Sequence, residues 1–112
     1  MTISQWNNAR LSKLFKYYNQ RYRNGSLAGW TVESTTEWAG GVCFRKKRRI
    51  LINVDRLADS AAIRATLLHE MAHAATNGGH GTLWQREMMR LVNAGARGAR
   101  PGGSQKSFLK II

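Results

Sequence analysis

A chain of 112 residues is about the size of one domain, and a hydrophobic fraction of 43% is ordinary for a folded protein, which excludes wholesale disorder. Eighteen Lys+Arg against six Asp+Glu give +12 at pH 7, a field that gathers polyanions. A single cysteine, Cys43, excludes an intramolecular disulfide, and no apolar run approaches the ~20 residues that span a bilayer.

In chain order, the first element is a helix from about Ser4 to Arg23. Leu11, Leu14, Phe15, Tyr18 and Tyr22 share one face, and Asn24-Gly25 stops it. From Trp30 to Asn53 the pattern becomes strand-like. Thr31-Val32 with Thr35-Thr36, then Val42-Cys43-Phe44, then Ile50-Leu51-Ile52 predict a small three-stranded antiparallel sheet. Gly40-Gly41 is a turn, and Arg45 to Arg49 a hairpin tip. Asp59 or Ser60 caps a second helix reaching Thr76, with Ile63, Leu67, Leu68 and Met71 inward. Asn77-Gly78-Gly79 breaks it. A third helix spans Thr82 to Asn93, with Leu83, Met88 and Leu91 as core candidates. The fold class is α+β, with one domain over residues 1–96. Residues 97–112 form a basic, Gly-rich, flexible tail whose Phe108, Leu109, Ile111 and Ile112 are expected to dock back.

The chemistry concentrates in Leu67-Leu68-His69-Glu70-Met71-Ala72-His73. Two His four residues apart lie on one helical face, one turn apart, so both imidazoles can meet one zinc ion. Glu70 sits about 100° round the helix, where a carboxylate can act as general base on water without ligating the metal. A catalytic zinc takes a third protein ligand and keeps one position open. On a continuous helix His80 would lie about 10 Å beyond His73. The breaker at Asn77-Gly78-Gly79 lets the chain fold back and bring His80 to the same ion. Glu87 is the alternative third ligand. The plain alternative for two isolated His is a buried pair without metal. All three His of the chain fall within residues 69–80, however, around a Gly-Gly turn.

These residues resemble the SprT-like (Spartan-type) family of zinc metalloproteases over roughly residues 11 to 94. Tyr18-Asn19-Gln20-Arg21-Tyr22-Arg23-Asn24-Gly25-Ser26-Leu27 is similar to the family's helix end, and Trp38-Ala39-Gly40-Gly41-Val42-Cys43 to its Trp-then-Gly-x-Cys strand. Arg49-Ile50-Leu51-Ile52-Asn53 resembles its third strand. Leu67 to Ala74 and His80-Gly81-x-x-Trp84 are similar to its active-site helix and ligand turn. The resemblance implies a zincin-like fold and a zinc-dependent endopeptidase, with Glu70 catalytic and His69, His73 and His80 holding Zn²⁺. It further implies protein substrates bound or crosslinked to DNA, with DNA as activator. With one Cys there is no Cys₄ zinc ribbon, so DNA targeting must come from this domain's own surface.

The charge points the same way. Arg45, Lys46, Lys47, Arg48 and Arg49 are the expected phosphate contacts, to single-stranded or damaged DNA. Arg97, Arg100, Lys106 and Lys110 form a second group. Trp30, Trp38 and Trp84 are either stacking platforms or core, with core preferred for Trp84. An anionic membrane is the weaker partner, and bare solubility the plain reading of the charge. Substrate is expected to lie extended along a sheet edge. Two alternatives stand beside the protease. One is a DNA-binding module with structural zinc, for which Cys43 must be the fourth ligand. The other is a protease with no nucleic-acid role. No N-terminal stretch has the make-up of a signal peptide, so the expected setting is intracellular, cytoplasmic or nucleoid-associated, with no membrane partner and a monomeric state.

Overall fold

A computed structural model describes residues 6–76 and 79–100. Helix α1 (Asn8–Arg23) is followed by strands β1 (Thr31–Ser34), β2 (Gly41–Phe44) and β3 (Arg49–Ile52). Helices α2 (Ser60–Thr76) and α3 (Thr82–Asn93) complete it. Among the described residues no helix is long and apolar enough to cross a membrane.

Helix α1 is capped by Asn7, whose side chain accepts from Arg10 N at 2.9 Å. At the other end Asn24 takes a left-handed conformation (φ +52°), and Gly25 N–H donates to Asn19 O at 2.9 Å. Buried Asn19 then spends its side-chain oxygen on Leu27 N, which folds the following loop against the helix.

The sheet is mixed, not antiparallel as expected. Its order is β1-β3-β2, with β3 antiparallel to β2 but parallel to β1. The central strand β3 buries Ile50 and Ile52 fully, and the edge strand β2 is buried over Gly41, Val42 and Cys43. Strand β1 carries half-exposed Glu33 and goes to an edge. Residues 35–40 carry the chain past β3 to the far side, and the 45–48 turn returns it. Thr35-Thr36 lies beyond the end of β1.

Helix α2 packs between the sheet and α3. Its residues from Ala65 to Ala74 are all buried, so it is covered all round rather than on one face. Burying each of Leu67, Leu68 and Met71 contributes about 1.5–3 kcal/mol. Helix α3 buries Trp84, Met88 and Leu91, at i, i+4 and i+7. Leu83, expected in the core, is 61% exposed, because it sits about 100° round from Trp84. The Asn77-Gly78 part of the expected breaker, the helix start at Ser4 and the docking of Phe108, Leu109, Ile111 and Ile112 lie outside the described residues.

Candidate metal centre

His69 and His73 lie one turn apart on α2, and both are buried. His80 comes from the short segment before α3 and keeps an exposed side. Their Nε2 atoms form a tight triangle: 3.2 Å between His69 and His73, 3.2 Å between His73 and His80, and 2.9 Å between His80 and His69. Three nitrogens bound tetrahedrally at 2.0–2.1 Å from one ion stand about 3.3 Å apart, so the triangle has the right size. The donor chemistry agrees. Three ring nitrogens facing one point bring their lone pairs together, an arrangement that a cation stabilises. Among the described residues these three His are the only group of metal-ligating side chains so placed. Partial desolvation lowers the pKa of His80, which favours the neutral imidazole that a metal needs.

Trp84 packs behind all three His rings. Its ring centroid lies 4.9 Å from His69, 5.6 Å from His73 and 4.6 Å from His80. Its Nε1–H points to His69 O at 3.4 Å. It is 1% exposed, so core rather than a stacking surface is its place.

Glu70 is fully buried beside the first glycine of β2. A Cβ built on Gly41 would lie 2.8 Å from Thr66 Cγ2 and 3.0 Å from both Cγ and Oε2 of Glu70. Gly41 is therefore a strand residue that makes room for the carboxylate, not a turn residue. A glycine opening an apolar strand was the available signal.

The alternative ligands are placed elsewhere. Glu87 is ion-paired to Arg23 at 2.6 Å and to Arg90 at 2.7 Å, tying α3 to α1. Arg23 and Glu87 side chains are only 5% and 13% exposed. Cys43 is buried outside the His cluster. Burial, with the charge of Glu70 adding to it, pushes its thiol up to about 12, so it stays protonated. A closed site with Cys43 as fourth ligand has no support in this arrangement.

The five basic residues divide. Arg45 Nη1–H donates to His73 O at 3.2 Å and Ala74 O at 2.9 Å, capping α2 at its negative end. Arg49 pairs with Glu33. Lys46, Lys47 and Arg48 are exposed, as are Arg97 and Arg100, while Lys106 and Lys110 lie outside the described residues. Trp38 packs edge-on against Phe44 at 6.3 Å, and Trp30 is half-buried.

Gly41, Val42 and Cys43, in the edge strand β2 beside Glu70, are buried. His80 is the exposed member of the His cluster. A groove lined by His80, Gly81, Thr82, Gln85, Arg86 and Met89 runs along α3.

A family model described as the SprT-like family matches residues 11–102. Neither the curated proteins nor the solved structures contain a match to the chain.

Proposed function

The chain belongs to the SprT-like family, and on that premise we propose that it is a zinc-dependent endopeptidase acting on proteins bound or crosslinked to DNA. The observation that carries the reading is the triangle of Nε2 atoms, 2.9–3.2 Å on a side, with a fully buried carboxylate on the adjoining residue.

His69, His73 and His80 would hold the ion. When bound, zinc supplies Lewis acidity, polarising a carbonyl and making water a stronger nucleophile at neutral pH. Glu70 takes the proton from the attacking water and passes it to the nitrogen of the leaving amine. The absence of a side chain at Gly41 leaves room for the buried Glu70 carboxylate, and Trp84 packs against the rings of all three His. Substrate enters along the groove beside His80. The surplus of positive charge supports the DNA part of the reading, since it concentrates polyanions and whatever is attached to them.

The test has two arms. Glu70→Gln should keep its metal and lose peptide cleavage; a fully active variant removes Glu70 from its role. Cleavage of a DNA-binding protein should rise when single-stranded DNA is added, and the gain should fade with salt. Cleavage indifferent to DNA leaves a protease with no nucleic-acid role.

A further inference from the structure

The exposed cations of the basic run are not a loose hairpin tip. Arg48 N–H closes the 45–48 turn on Arg45 O at 3.2 Å, and Arg48 O accepts from Thr31 N at 3.0 Å. Arg48 has φ +54°, a left-handed conformation that folds the tip down onto the loop before β1. Gly29 (φ +91°) lies under it: a Cβ there would be 3.7 Å from Arg48 Nη1. Beside the two segments runs a groove whose lining includes Trp30, Arg45, Lys46, Arg48, Ala74 and Ala75. None of the residues that line it is acidic.

We propose that this groove binds a single strand of nucleic acid, with an unpaired base on Trp30 and the flanking phosphates on Lys46 and Arg48. The proposal rests on the nucleic-acid part of the function above and gives it a location. An aromatic ring and cations lining one groove are the combination that single strands use: stacking accepts any base, and the cations follow the backbone. A duplex keeps its bases paired and cannot offer one to Trp30. A membrane surface calls for aliphatic side chains beside the cations. The large exposed apolar residues Tyr17, Leu83, Met89 and Val92 are not in this groove. Holding Arg48 against the Gly29 backbone lowers the ordering cost of binding.

The location also makes chemical sense. Ala74 follows the ligand His73 directly, and Arg45 bridges the carbonyls of both. A strand in the groove would therefore lie at the end of the active-site helix, holding an attached protein near the metal centre.

The test is fluorescence anisotropy of a labelled short oligothymidylate, titrated with the zinc-loaded full chain across salt. Lys46→Gln/Arg48→Gln should weaken binding roughly tenfold at low salt, and should flatten the log–log salt slope by about 1.4, or 0.7 per lost phosphate contact. Trp30→Leu keeps apolar bulk; it should weaken binding about fivefold or more with the slope unchanged. The charge variant lies wholly on the surface and carries the test even if Trp30→Leu does not fold. Polyglutamate, duplex DNA and phosphatidylserine vesicles should compete poorly. Variants that bind like the unaltered chain overturn the groove while leaving DNA binding elsewhere. Equal competition by polyglutamate or vesicles replaces the ligand class. No binding by the unaltered chain overturns both the groove and the nucleic-acid role, and leaves the protease to the Glu70→Gln comparison on an unmodified protein substrate.

Discussion

Gly41→Ala is the most informative single change near the centre, because it adds one methyl group at a known clearance. Its Cβ would meet Thr66 Cγ2 at 2.8 Å and Glu70 Cγ and Oε2 at 3.0 Å. Ordinary contact begins at 3.4 Å, so Thr66 must retreat by about 0.6 Å and Glu70 by about 0.4 Å. Both neighbours sit on a helix buried all round, and overpacking in such a place costs about 1–3 kcal/mol. The functional loss should be larger than the loss of stability. Misplacing a catalytic group by ~1 Å can cost about 10²-fold in rate, and a shift of half that size should cost about tenfold. Metal content should be unchanged, since no His is touched. Steady-state cleavage, metal analysis and a thermal melt on the same sample separate the three effects. Adding Thr66→Ser removes the nearest methyl and should restore part of the stability, but not the activity. A Gly41→Ala protein that cleaves at the full rate would refute the idea that Glu70 is held in place by this contact.

Further expectations follow from the same packing. Trp84→Leu removes the ring shared by three ligands and should weaken metal binding about 10–100-fold, read by competition with a chelator dye. Breaking the buried pair with Glu87→Gln leaves Arg23 without its charge partner, and should cost about 3–5 kcal/mol in chemical denaturation. Cys43 should resist thiol reagents at pH 8 in the folded chain and react on unfolding. Its folded pKa, near 12, lies above the unfolded value, so the unfolded state releases this proton first. Stability should therefore hold below about pH 9 and fall by about 1.4 kcal/mol per pH unit from there towards 12, a trend that Cys43→Ala should remove.

The clustering of the three His was legible in the sequence because its geometry is local. Spacing of four residues on a helix sets His69 beside His73, and a break before His80 is enough to bring the third ring back. The helices were legible for the same reason. Strand order was not, because which strand takes the middle depends on long-range burial. The hairpin of β2 and β3 follows from a short link, but the parallel pairing of β1 with β3 leaves no local mark. Leu83 and Trp84 show the limit of periodicity over short helices: a shift of one residue exchanges core for surface. Arg45 shows the limit of reading charge runs. In sequence it is one of five like residues, whereas in the fold it caps the C-terminal end of α2. Only a tertiary contact separates it from its neighbours.

Metal stoichiometry of the purified chain, measured beside His80→Ala, decides whether three imidazoles share one ion. One zinc ion per chain is expected, with an X-ray absorption spectrum dominated by imidazole nitrogen at about 2.0–2.1 Å, and a large loss of affinity in the variant. Zinc held equally well by His80→Ala, or a sulfur ligand in the spectrum, would contradict a three-imidazole site.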